Sequence, residues 1–295
     1  MPSFMEATQW VGPAVLFLLM IAVGIELTPA DFRRVAATPR AVIAGTLAQI
    51  ALLPLLTWAV VALLEVDARL AAGAILVAVS PGAGISNILV AAARANVALS
   101  VTLTAFASVL CVLTLPTIAA LGIREVLGEA IEIDVPVGTL MGQLALSLLL
   151  PIGIGMRWRA VRPAFVARHR RRFQRVTVGT IAALMVLGMI FGDAGDLTFA
   201  DAAAGMLAAG VWTALAMAMG WGLAALLGLP SDDRFTYLIE FSTRNIAVAA
   251  IVAMSGLGRV DLVLYSAAYI TIAYPLAAAV SFGRRAWRRP AEEAA

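Results

Sequence analysis

Apolar runs of roughly 17 to 25 residues, long enough to cross a bilayer as helices, recur along the chain with short polar joints between them. Nine are predicted, starting near Gln9, Arg40, Leu70, Asn96, Pro136, Val176, Phe199, Phe235 and Val260. Two of the nine carry polar interruptions. In the third, Ser80-Pro81-Gly82-Ala83-Gly84 breaks the helix, since Pro81 lacks a backbone donor and the glycines permit unwinding; Ser86-Asn87-Ile88-Leu89-Val90-Ala91-Ala92 follows. In the eighth, Arg244-Asn245-Ile246-Ala247-Val248-Ala249-Ala250 repeats that heptapeptide behind Glu240. Matching interruptions in two halves point to a transporter's midplane binding site. The predicted fold is therefore an all-α integral membrane domain over residues 1–295 with about nine transmembrane helices. Because the match joins spans three and eight, spans one to four correspond to spans six to nine. An odd offset of five spans brings the second unit in from the opposite face, an inverted 4+1+4 repeat. The expected boundaries are 8–122 for the first repeat, 136–157 for span five, 176–282 for the second repeat and 283–295 for a cytoplasmic tail.

Composition makes lipid the solvent. Hydrophobic residues are 62% and charged ones 13% of 295, and the mean hydropathy is +0.96, too little polar surface for a soluble globule. The net charge of +3 comes with basic residues that are all arginine and cluster in the joints. With the N-terminus outside, the outer joints receive only Arg69, Arg124 and Arg259, Arg244 lies within a span, and the rest face the cytoplasm. The positive-inside rule then fixes an N-out, C-in orientation, with the acidic joint Glu125 to Asp134 outside. The basic loop Arg157 to Arg175 orients helices and meets anionic lipid heads rather than nucleic acid, and Trp158 and Trp287 suit interface anchors. No basic residue precedes the first apolar run, so no signal peptide is expected and the first span is retained. These features predict a multi-pass protein of a bacterial-type inner (plasma) membrane. The bilayer is the partner these features predict, with no nucleic acid and no obligatory protein partner.

A carboxylate or guanidinium in mid-membrane must face protein or water. Glu240 and Arg244, four residues apart, would share a face of a continuous helix and could pair with each other, but a functional role for each is the favoured reading, since buried pairs seldom add net stability over apolar packing. Ser86 and Asn87 follow the first break directly. In the next span Ser100 and Thr104 lie one turn apart on one face. Hydroxyls, an amide oxygen and one carboxylate form an all-oxygen set with a single negative charge, which suits a hard monovalent cation, sodium, better than a soft metal. Gln49 faces the bundle. Glu26 and Asp31 near the end of span one are assigned no function. Tyr265, Tyr269 and Tyr274 of the last span read mostly as packing or interface residues, with Thr271 a possible cavity-lining position.

These residues resemble the bile acid:sodium symporter family. The likeness runs through Gly24-Ile25-Glu26-Leu27-Thr28-Pro29-Ala30-Asp31-Phe32, Ala48-Gln49, the Ser80 to Asn87 segment, Ala95-Asn96-Val97-Ala98-Leu99-Ser100-Val101-Thr102-Leu103-Thr104 and Glu240 to Asn245. The resemblance implies discontinuous helices crossing at the centre, a panel of spans one, five and six, a core of the others, and alternating access by one domain moving against the other. It assigns a first sodium site to Ser86, Asn87, Ser100, Thr104 and Glu240. Its second sodium site uses Gln49 and Glu240 with a glutamine that is Arg244 here. A guanidinium donates five hydrogen bonds and accepts none, so one sodium ion is expected and the second site is expected to be absent. The tethered cation is expected to bond Glu240 or Gln49, or alternatively to meet an anionic substrate. The substrate lining is taken as Gly84, Asn87, Asn245 and Thr271, which differs from bacterial relatives at Gly84 and Thr271.

Alternatives come from other chemistries. A metalloid or other anion exporter of related fold would rely on Cys111, which reads as packing; a sodium-independent carrier and a passive pore are further alternatives. An intramembrane enzyme finds no support. His169 lies in the basic loop, Asp193 and Asp196 lie at a span boundary, and no HExxH is present.

Overall fold

The computed structural model describes residues 39–127, 137–169 and 198–293 continuously, with scattered positions between 17 and 33 and between 172 and 179. Most of the first and sixth predicted spans, with Glu26, Asp31, Asp193 and Asp196, lies outside the described residues. What is described is helical. Elements α1 (Pro39–Leu63), α2 (Ala68–Val79), α3 (Gly84–Ala92) and α4 (Val97–Leu127) build the first half. A span of α5 (Val137–Leu144), a π-helical turn (Ala145–Leu149) and α6 (Leu150–Val161) follows. The second half is α7 (Phe199–Leu226), α8 (Ser231–Ser242), α9 (Ile246–Ile251) with a π-helical turn (Val252–Gly256), and α10 (Leu264–Glu293) behind a short 3-10 turn (Val260–Val263).

Among the described residues five helical segments are long and apolar enough to cross a membrane: Pro39–Leu63, Val97–Val126, Met141–Val161, Phe199–Leu226 and Val260–Trp287. The 12-residue helix α2 rises about 18 Å, short of the ~30 Å hydrocarbon thickness. It and α3 each supply part of one span, as α8 and α9 do for another. Local chemistry sets the ends. Asp67 caps α2 by accepting from the Arg69 amide at 2.9 Å, and Thr198 and Asp201 form a reciprocal capping box on α7. Helix α10 runs on through Glu293, past position 283 where the tail was expected. Arg284 ties it down, with Nη2 2.5 Å from Asp232 Oδ1 and its guanidinium 4.3 Å over the Phe235 ring.

The apolar core lies where α7 packs against α8, α10 and α1, and α2 against α4. Trp212, Tyr237, Tyr265, Tyr269 and Phe241 are the largest fully buried side chains among the described residues. Helices α7 and α8 touch closely because residue 220 is glycine: a Cβ there would stand 2.6 Å from the Tyr237 carbonyl oxygen. Trp212 Nε1 donates to Thr57 Oγ1 at 2.8 Å, linking α7 to α1. Cys111 is buried in this core at 2% exposure, among packing residues.

The two interruptions meet. Gly82 and Arg244 form an antiparallel bridge; the Asn245 amide donates to the Pro81 carbonyl at 2.8 Å and the Ala83 amide to the Thr243 carbonyl at 3.2 Å. Each break thus satisfies backbone groups that the other has freed, which makes irregular chain tolerable at membrane depth. The bridged pair, 82 and 244, and the helix starts, 84 and 246, are both offset by 162, whereas the repeated heptapeptides are offset by 158. The matching peptides therefore lie about one helical turn out of register with the matching geometry.

Candidate functional site at the paired helix breaks

Pro81 has no amide hydrogen and drives the residue before it out of the helical region. Ser80 accordingly takes φ −65°, ψ 152° and its hydroxyl turns back to the Leu76 carbonyl at 2.7 Å. The chain re-enters a helix at Gly84. That places Ser86 and Asn87 in the first turn of α3, facing Ser100 and Thr104 on α4, while the last turn of α8 delivers Glu240 from the other half.

These side chains converge. Thr104 Oγ1 donates to Glu240 Oε2 at 3.0 Å. Ser100 Oγ lies 2.5 Å from Glu240 Oε1 and 2.8 Å from Asn87 Oδ1. Ser86 Oγ lies against Glu240 Oε1 and 2.7 Å from the Ala83 carbonyl oxygen. Ser86, Ser100, Thr104 and Glu240 are at most 1% exposed and Asn87 is 5% exposed. Ser86 and Ser100 each have one hydroxyl proton, yet Ser86 has three oxygens within reach and Ser100 two, so the cluster holds more close oxygen pairs than protons to bridge them. A donor set of hydroxyls, an amide oxygen, a backbone carbonyl and one carboxylate matches a hard cation of single charge.

Gly82 lies directly over this cluster. A Cβ at that position would stand 2.8 Å from Glu240 Oε2 and 3.2 Å from Thr104 Oγ1, and contact at that range displaces the carboxylate. Gly82→Ala is expected to weaken sodium-induced thermal stabilisation, raising the half-maximal concentration about tenfold while leaving a folded, monodisperse protein. An unchanged sodium response would detach Glu240 from ion binding.

Glu240 and Arg244 do not share a helical face, so the pairing that their spacing alone allows does not form. Helix α8 ends at Ser242, Thr243 is extended at φ −118°, ψ 102°, and the break between them turns the two side chains apart. Among the described residues no carboxylate lies within 4.0 Å of the Arg244 guanidinium. Its Nη1 donates to Gln49 Oε1 at 2.7 Å and its Nη2 to the Ser80 carbonyl. The side chain thus spans from one break to the other and is 2% exposed. Arg244 Nε, Gln49 Nε2 and Thr46 Oγ1 are buried without a hydrogen-bond partner.

Two tyrosines hold the second break. Tyr269 Oη donates to the Ser242 carbonyl at 2.5 Å and accepts from the Arg244 amide at 2.9 Å; Tyr274 Oη donates to the Arg244 carbonyl at 2.9 Å. By their sequence context alone both read as packing or interface residues. Their available signal was a phenol deep in a span, which when buried needs a polar partner. Of the expected substrate-lining residues, Gly84 has open space, with only Val23 Cγ2 at 3.9 Å from a Cβ built there. Asn245 caps α9 by accepting from the Val248 amide at 3.3 Å. Thr271 is exposed and bonds its own helix at Ala267, and the structure does not bring it to the cluster.

Comparison with known proteins agrees with this architecture. A probable chloroplastic sodium/metabolite cotransporter of Arabidopsis thaliana is 28% identical over 295 residues, 96% of this chain and 69% of that protein. An uncharacterized sodium-dependent transporter of Bacillus subtilis is 28% identical over 186 residues, 62% of this chain and 56% of its own length. Sodium/bile acid cotransporter 4 of Homo sapiens is 25% identical over 240 residues, 79% of this chain and 53% of its own length. The chain spans little more than half the length of the latter two. These relatives are transporters, not enzymes. Residues 13–201 match the sodium bile acid symporter family, and the chain belongs to that family.

Proposed function

We propose that this protein is a secondary active transporter that couples movement of a small organic anion to one sodium ion. The observation that carries the reading is the convergence of Ser86, Asn87, Ser100 and Thr104 on Glu240 beside two mutually paired helix breaks. Sodium, as cargo, is held by these oxygens and by the Glu240 charge. The second cation position is taken by the Arg244 guanidinium, which sits on an amide oxygen and a backbone carbonyl, the acceptor types a sodium ion would use. Arg244 is engaged by these acceptors, which favours the tether over direct contact with substrate. The organic anion binds near the break at Gly84, Asn87 and Asn245, where the short helices present their N-termini.

An inverted 4+1+4 repeat of nine spans, with a panel of spans one, five and six rocking against the remaining core, gives alternating access around this site. The arginine distribution supports an N-out, C-in placement in a plasma membrane. Purified protein titrated with sodium, with potassium as the control, tests the ion assignment. Thermal stabilisation specific to sodium and with a Hill coefficient of about one is expected. A coefficient near two defeats the single-site reading, and equal stabilisation by potassium defeats the sodium site.

A further inference from the structure

Among the described residues only two charged side chains are buried, Glu240 at 0% and Arg244 at 2% exposure. They flank the second break and have separate partners. The carboxylate receives hydroxyls from α3 and α4, whereas the guanidinium gives its protons to Gln49 and to the Ser80 carbonyl. With Glu240 as the carboxylate that the sodium reading requires, the crossing holds one fixed negative and one fixed positive charge. Their sum is zero before any cargo binds.

A net charge carried through the apolar layer is what the bilayer penalises. Resting on the reading of Glu240 as the sodium-bearing acid, the cargo states rank by charge alone. The empty crossing is neutral, sodium by itself leaves it at plus one, a monovalent anion by itself leaves it at minus one, and the two together restore neutrality. We infer that Arg244 is a charge-balancing residue that confines reorientation to the empty and the doubly loaded forms, making transport an electroneutral symport of one sodium ion with one monovalent anion. A guanidinium does this at every working pH because it does not lose its proton. A dianion leaves the loaded crossing at minus one and is disfavoured by the same rule. With a neutral residue at 244, the sodium-bound crossing would itself be neutral and would slip across without an anion.

The test is radioactive sodium exchange by the full-length protein in proteoliposomes with sodium sulfate on both sides and no organic anion. Wild type is expected to exchange no faster than protein-free vesicles. Arg244→Gln is expected to exchange about 10²-fold faster than wild type, the factor corresponding to the lower insertion cost of one charge at the membrane centre. Arg244→Lys keeps the charge and is expected to stay at the wild-type rate. Sodium-induced thermal stabilisation of the same preparations reports that each is folded and binds the ion.

Exchange by wild type in sodium sulfate overturns the charge rule. So does equal leak in the Gln and Lys variants, or an Arg244→Gln protein that sodium stabilises but that exchanges no faster. None of these results touches the sodium site, whereas absence of sodium stabilisation in wild type overturns the underlying reading instead. If Arg244→Gln is not recovered folded, the wild-type arm decides: exchange at the vesicle background by a sodium-stabilised protein supports the rule, and exchange above it removes the rule.

Discussion

Glu240→Gln is expected to eliminate sodium-induced stabilisation in a protein that still folds. Among the described residues the carboxylate is the only anionic group in a cluster otherwise made of Ser86, Ser100, Thr104, Asn87 and the Ala83 carbonyl. Its removal leaves a bound cation desolvated and without a counter-charge. Breaking a buried charge pair in this one-sided way costs about 3–5 kcal/mol, which corresponds to ~10²–10⁴-fold in affinity. Wild type at a sodium concentration about 100 times its dissociation constant gains about 2.7 kcal/mol from the ion, so the variant shows no response over the same range. Folding survives because the amide has nearly the shape of the acid and still offers acceptor and donor to hydroxyls that are free to rotate. Ser100→Ala and Thr104→Val each remove one neutral ligand and are expected to weaken sodium binding less, by about tenfold. The ordering is the discriminating result. Glu240→Gln with a wild-type sodium shift, or Ser100→Ala with the larger loss, would mean that sodium binds elsewhere.

How much of this was legible in the chain differs between the two breaks. The first announces itself in Ser80-Pro81-Gly82, because a residue without an amide hydrogen ends a helix wherever it stands. The second, Phe241-Ser242-Thr243-Arg244-Asn245, contains neither Pro nor Gly. Only the repeated heptapeptide marks it, and that repeat is a turn out of register with the bridge between Gly82 and Arg244. The pairing of Glu240 with Arg244 that the spacing alone allows does not form for the same reason, since spacing of four residues means one face only if the helix continues. The grouping of Ser86, Asn87, Ser100 and Thr104 was legible because each pair lies on a regular helical segment. In the described regions helices begin within a few residues of the starts of the apolar runs, because backbone in lipid has few alternatives. The tyrosines were not legible as clamps, because the direction of a phenol depends on how α10 crosses α8 and α9, which no local pattern encodes. Thr271 shows the converse. A polar side chain inside a span suggested a lined cavity, yet its hydroxyl is satisfied one turn back on its own helix.

Tyr269→Phe is expected to destabilise the protein more than any other single loss of a hydroxyl in the last span. Its Oη is shared by the Ser242 carbonyl and the Arg244 amide, so phenylalanine in the same 0%-exposed position leaves both a donor and an acceptor unpaired at the break. Each costs about 1–3 kcal/mol when buried, giving ~2–6 kcal/mol together if the site does not rearrange. Tyr274→Phe removes one bond, to the Arg244 carbonyl, and is expected to cost about half as much. The Trp212 ring meets Tyr269 edge-on at 5.7 Å between centroids, a contact that phenylalanine keeps, so lost ring packing does not account for the difference. Function should follow stability. The Tyr269 hydroxyl fixes the backbone on either side of Thr243, and that backbone sets how far Glu240 and Arg244 diverge; slackening it lets the acid drift from Ser86 and Ser100. Thermal unfolding in detergent should therefore rank wild type above Tyr274→Phe and that above Tyr269→Phe, with sodium affinity falling in the same order. A Tyr269→Phe protein as stable as wild type, with an unaltered sodium response, would show that the paired backbones of the two breaks hold this crossing without the clamp.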